Sequence, residues 1–137
     1  MKTILIITTL LLLVGCATIV TKQTKFVPKY EFSGNWNCDN SREYSVTRRH
    51  GRHVVSTYNT NTGYDHIFKG DYIDGQTIEG IQTRRKRADG TTTRMYLTIK
   101  LSSPNLAKVH WIVLDGNSDL MKGQTGECVI QRVIVRQ

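Results

Sequence analysis

The chain has 137 residues, 39 % of them hydrophobic, with 19 Lys+Arg against 11 Asp+Glu and a formal net charge of +8. That length holds one domain with a single modest core and excludes a second. The basic balance points toward anionic partners, whether nucleic acid, lipid head groups, acidic polymers or acidic proteins.

The chain opens on Lys2 and an apolar run from Ile4 to Leu13, interrupted only by Thr8 and Thr9. The run is too short for an ordinary bilayer-spanning helix and has the build of a signal peptide. It ends in Leu13-Val14-Gly15-Cys16, which resembles the lipobox of bacterial lipoproteins without a mismatch. The resemblance implies cleavage after Gly15, a diacylglycerol thioether on Cys16 and an acylated new N-terminus. Two or three acyl chains anchor a protein where one would be marginal. Ala17 and Thr18 follow, with no Asp at the second mature position, as in lipoproteins exported to the outer membrane. The expected location is therefore the cell envelope, anchored to the outer membrane and facing the periplasm. Removing residues 1–15 takes away a single cation, Lys2, so the mature chain stays basic. That compartment removes nucleic acid from the partners and leaves the membrane itself, anionic envelope polymers and acidic proteins.

Residues 16–30 are rich in Thr and Lys, contain Pro28 and show no sustained period, which fits a solvated tether carrying Lys22, Lys25 and Lys29. Residues 31–137 then form the folded domain. With Cys16 committed to lipid, Cys38 and Cys128 remain as an even pair in an oxidising compartment, and a disulfide between them is expected.

From Phe32 the pattern changes to short β-rich runs separated by turn signals, and no helical period competes. The runs are Phe32 to Cys38, Glu43 to Arg49, His53 to Asn59, Asp65 to Ile73, Thr77 to Arg87, Thr92 to Leu101, Ala107 to Leu114 and Cys128 to Val135. Asp74-Gly75, Asp89-Gly90 and Asp115-Gly116 are read as tight hairpins supplied by glycines at positive φ, and Gly70 as a bulge or bend. Alternation is cleanest at Met95, Leu97, Ile99 and Leu101 and at Val109, Trp111 and Val113, which should face the core while Arg94, Lys100 and Lys108 face water. Eight hairpin-linked runs without a crossover predict an all-β fold, an eight-stranded antiparallel up-and-down barrel whose first strand pairs with its last.

Gly34-Asn35-Trp36 on the first run and Arg132 on the final run resemble the calycin group, the lipocalins and their relatives. The resemblance implies a tryptophan plugging one barrel end with the arginine packed across it. Size, anchor and cysteine placement are also similar to the membrane-bound inhibitors of c-type lysozyme. Those proteins carry a Ser-Gly-x-x-Tyr loop, from which the nearest stretches here, Ser33-Gly34 and Thr62-Gly63-Tyr64, differ.

A search for catalytic chemistry finds no Gly-x-Ser-x-Gly elbow, His-Glu-x-x-His helix or phosphate-cradling glycine loop, and the cysteines are committed elsewhere. The expectation is a non-enzyme without a cofactor. His50, His53, His66 and His110 have no spacing that gathers them, and Asp115 to Asp119 lacks the later ligands of a calcium loop, so no metal is expected. The conspicuous surface feature is Arg84-Arg85-Lys86-Arg87, read as facing Arg94 across the Asp89-Gly90 turn and forming a cationic hairpin for an anion or acidic partner. Trp36, Tyr44, Trp111 and Met95 read as inward and bulky enough to fill the barrel. A filled interior favours a non-catalytic interaction module over the alternatives, a lipocalin-like carrier of a small apolar ligand or a lysozyme-inhibitor-like protein.

If Cys16 is the lipid site, Cys16→Ser releases the protein from membrane fractions or leaves an uncleaved precursor on immunoblots. Unchanged cleavage and membrane association would exclude lipidation there.

Overall fold

The computed structural model describes residues 25–38, 44–116 and 120–134. The expected signal segment, Cys16, Lys22, the expected turn at residues 39–41, Glu43, Asn117 to Asp119 and Val135 lie outside the described residues, as does the Tyr44 side chain. The strands are β1 (Gly34–Cys38), β2 (Tyr44–His50), β3 (His53–Asn59), β4 (Tyr64–Tyr72), β5 (Thr77–Lys86), β6 (Thr92–Ser103), β7 (Leu106–Val113) and β8 (Thr125–Arg132). They pair antiparallel in chain order, and β1 pairs with β8 to close the barrel. Among the described residues there is no helix.

Period-two alternation places the core. On β6, Thr93, Met95, Leu97, Ile99 and Leu101 are buried while Arg94 and Lys100 are exposed; on β7, Ala107, Val109 and Val113 are buried while Lys108 is exposed. Full burial of one such aliphatic or aromatic side chain contributes about 1.5–3 kcal/mol. β8 begins at Thr125, three residues before the expected Cys128, because its partner decides its extent. Trp111 of β7 stands opposite Gly126, and a Cβ on Gly126 would collide with the indole ring. A glycine flanked by Thr125 and Glu127 carries no apolar alternation to read.

Three turn expectations change, at Gly70, Gly75 and Gly116. Gly70 makes no bulge: it faces Gly80 in an unbroken β4–β5 register, whereas the β6–β7 register shifts between Leu101 and Ser103. Gly90 is at positive φ, 75°, but Gly116 is not, and neither is Gly75 in the Asp74-Gly75 turn. There the Asp74 carboxylate accepts from the backbone N–H groups of Gln76 (2.8 Å) and Thr77 (2.7 Å), and the bare Gly75 admits the N-terminal segment. The backbone N–H of Lys29 donates to Gly75 O (2.7 Å).

That contact corrects the outer part of the expected tether. Residues 25–30 are a strap against the barrel, with Phe26 and Tyr30 packed on the core and the Tyr72 hydroxyl donating to Tyr30 O (2.8 Å). The Phe26 ring lies 5.3 Å from that of Tyr72, and the Arg52 guanidinium lies 4.1 Å over Phe26. The closed sheet, its core and its disulfide all lie within residues 25–134, so this part of the chain contains its own folding determinants.

Cys38 and Cys128 are disulfide-bonded across the β1–β8 seam, with Cα atoms 6.3 Å apart and 90 residues between them in sequence. A loop of that size is worth about 4–5 kcal/mol on the chain-entropy account. The Cys38→Ala/Cys128→Ala variant should therefore lose about 2–5 kcal/mol in denaturant unfolding, and non-reducing digestion of the parent should yield one linked peptide pair. Two free thiols in the purified protein, or unchanged stability of the variant, would contradict this.

Candidate functional site

The two ends of the barrel differ. At one end lie the start of β1, the β2–β3, β4–β5 and β6–β7 hairpins, the end of β8 and the strap. Phe32 and Trp36, both at most 2 % exposed, pack with ring centroids 4.9 Å apart, and the Trp36 indole N–H donates to Phe32 O (2.8 Å). The Arg132 guanidinium lies 4.5 Å over the Trp36 ring. Its N–H groups donate to the carbonyls of Glu31 and Ser33 and, at 2.9 Å, to that of Pro104. Glu31 is held by Arg49 through a two-pronged ion pair (2.7 and 2.9 Å). Those hydrogen bonds lower the Glu31 pKa to about 2 against opposing burial, with the Ser33 N–H adding to the effect. Burial pushes the Tyr72 hydroxyl up to about 12. This end is shut.

Above that floor is a cavity of about 450 Å³. It reaches the opposite end, where Thr62 of the β3–β4 loop and Leu120 of the β7–β8 loop line its mouth. The expectation of a filled interior is therefore corrected. Trp36, Trp111 and Met95 do face inward, but the wall opposite them is built from shorter or polar side chains.

The lining is divided lengthwise. Ser45 on β2, Ser56 and Tyr58 on β3, His66 on β4, and Gln82 and Arg84 on β5 make a polar wall. Leu97 and Ile99 on β6, Val109 and Trp111 on β7, and Ile130 on β8 make an apolar one. The polar wall is ordered by its own contacts: Gln82 Nε2 and His66 Nδ1 are 3.1 Å apart, Tyr58 stacks on His66 at 4.3 Å, and Thr47 Oγ1 donates to Ser56 Oγ (2.9 Å). At the mouth, the Arg84 guanidinium lies 3.7 Å over the Tyr64 ring.

The expected cationic hairpin is not one surface. Alternation along β5 turns Arg84 into the cavity and leaves Arg85 exposed, with Lys86 half-buried. Arg87 donates to the Asp65 carboxylate (2.6 Å) and to Thr60 O (2.7 Å). Arg94 stands opposite Thr83, not opposite a cation, and is ion-paired with Asp115. The histidines are likewise dispersed, with His66 inside and His53 outside against Asp71. Among the described residues no three His, Cys, Asp or Glu side chains come together as metal ligands.

Sequence reasoning missed His66, Phe68, Gln82 and the inward aim of Arg84. The signal existed, because Tyr64, His66 and Phe68 alternate along β4 and Ile78, Gln82 and Arg84 share one face of β5. It was masked by Ile67, which is 45 % exposed on the outer face, and by reading residues 84–87 as a block.

No family model matches the chain, and no curated protein or solved structure matches it.

The depressed Glu31 pKa has a direction in stability. The ionised group stabilises the fold fully above its ordinary pKa of 4.5, and that contribution is lost as pH falls toward about 2. Glu31→Gln should lower the thermal midpoint near neutral pH, and the gap from the parent should close on acidification. A gap that stays constant down to about pH 2 would show that the ion pair does not carry it.

Proposed function

We propose that the barrel is a non-catalytic carrier of one small, mainly apolar ligand, displayed in the bacterial envelope by a lipid on Cys16. The observation that supports this most is the cavity of about 450 Å³. That volume lies within the range of small-molecule sites, about 300–1,000 Å³, which are mostly apolar with a few placed polar groups. One continuous apolar wall and one hydrogen-bonding wall match that description. An eight-stranded barrel is just wide enough either to be filled or to hold one small ligand, so side-chain size decides between the two. Here the small residues Ser45, Ser56 and Val109 leave the room.

The envelope-contact reading rested on a filled interior and on a continuous basic hairpin. Its remaining surface is narrower, centred on the exposed Arg85, because Arg87 and Arg94 are engaged by carboxylates. A soluble barrel tethered to the outer membrane would collect its ligand from the periplasm or the membrane surface.

The test uses the chain beginning at Ala17 and an uncharged fluorescent probe, N-phenylnaphthylamine. The expected result is one saturable site that competes with other apolar compounds. Val109→Phe should weaken binding about tenfold while the folding transition is kept, since bulk on the apolar wall displaces the ligand. Folded protein with no saturable uptake would overturn the carrier reading and return weight to the basic outer surface.

A further inference from the structure

The polar wall of the cavity holds one side chain whose hydrogen bonding is half made. A carboxamide has two donors and two acceptor lone pairs to place. Gln82 Nε2 stands 3.1 Å from His66 Nδ1, and among the described residues the Gln82 side chain makes no other hydrogen bond. Among those residues no buried side-chain nitrogen or oxygen lacks a partner, so Gln82 Oε1 is not sealed in protein but opens on the cavity that Gln82 lines.

The setting of that oxygen is apolar. In register Gln82 stands between Phe68 of β4 and Met95 of β6, both buried, and Leu97, Ile99 and Val109 continue the lining. Along β5 it lies midway between Ile78 and Lys86, about 13 Å of strand from each, and so inside the barrel and not at its mouth. The amide is also fixed in place: His66 holds one edge of it, and Tyr58 stacks on His66 with ring centroids 4.3 Å apart. A wholly apolar occupant would cover the Gln82 oxygen and leave it unpaired, which costs more than an ordinary hydrogen bond contributes. An occupant with a hydroxyl at that depth supplies the partner. Because a hydroxyl both donates and accepts, it serves either orientation of the amide.

We propose that the ligand is an uncharged apolar molecule carrying a hydroxyl group, which hydrogen-bonds the Gln82 carboxamide inside the barrel while the rest of the molecule lies on the β6–β7 wall. This rests on the carrier reading and specifies its ligand. Gln82 then selects among apolar compounds of one shape, favouring those with the hydroxyl.

The experiment compares 2-naphthol with 2-methylnaphthalene, which are nearly the same shape, uncharged at neutral pH, and differ in hydroxyl against methyl. Equilibrium dialysis against the chain beginning at Ala17 gives the Kd of each. Gln82→Met keeps the length of the side chain and removes the amide. In that variant 2-naphthol should bind about tenfold more weakly, the size of one net hydrogen bond, while 2-methylnaphthalene binds as tightly as before or more tightly. Retained binding of 2-methylnaphthalene also shows that the variant is folded. Gln82→Asn keeps the amide but withdraws it by one methylene, and it should weaken 2-naphthol alone; it decides the matter if Gln82→Met does not fold. An equal change for both compounds in a folded variant, or no change for either, overturns the proposal while leaving a carrier. Parent protein that takes up N-phenylnaphthylamine but neither naphthalene also overturns this inference alone. Absence of binding by all three compounds overturns the carrier reading and this inference together.

Discussion

Closure between β1 and β8 is the constraint on which the other features depend. β1 has five residues and meets β8 through three register pairs, Trp36 with Arg132, Asn37 with Gln131 and Cys38 with Ile130. Left open, the sheet would present two edges of unpaired backbone groups. The seam is short, and other links reinforce it. The disulfide joins the strands covalently, the backbone N–H of Val133 donates to Asn35 O (2.8 Å), and Arg132 ties the segment before β1 to the β6–β7 hairpin. Residues 31–33 are not in a strand, so their carbonyls need donors from elsewhere. The Arg132 guanidinium supplies them at Glu31 and Ser33, and its flat face covers Trp36.

Shutting that end sets what the other can do. Trp36, Phe32 and the strap fill the space between the strand ends, so the interior volume that remains opens at the far side. The strap packs closely on Gly75, where a Cβ would stand 3.0 Å from the Lys29 backbone nitrogen, and on Tyr72, whose hydroxyl reaches Tyr30 O. Backbone and side-chain contacts thus convert what composition suggests is a linker into part of the floor. The described chain enters the barrel at this shut end through residues 25–30, opposite the cavity mouth.

Charge is sorted by parity as much as by sequence. A run of four cations looks like one patch, yet a strand sends successive side chains to opposite faces. Arg84 goes inside, Arg85 goes outside, and the strand ends before Arg87, which folds back on Asp65. The same alternation puts His66 in the wall and Ile67 on the surface. A basic protein with an interior arginine can act through its cavity, whereas one with a contiguous outer patch acts through its surface.

The class of the fold and the order of its strands were legible in the sequence. Period-two alternation and turn residues between the runs were enough for eight antiparallel strands, and the even cysteine pair with a first-to-last closure was enough for the disulfide. Local rules suffice there because hairpins join neighbours in the chain. It did not determine the start of β8, which depends on Trp111 lying across Gly126, nor the docking of residues 25–30, which depends on Gly75 and Tyr72 far along the chain. Nor did it determine the cavity. Inward bulk at Trp36, Trp111 and Met95 was legible, but whether opposite walls meet depends on which residues face each other across the barrel. That pairing of Ser45, Ser56 and Gln82 against Leu97, Ile99 and Val109 exists only once the sheet has closed, because side chains on facing walls are neighbours in space and not along the chain.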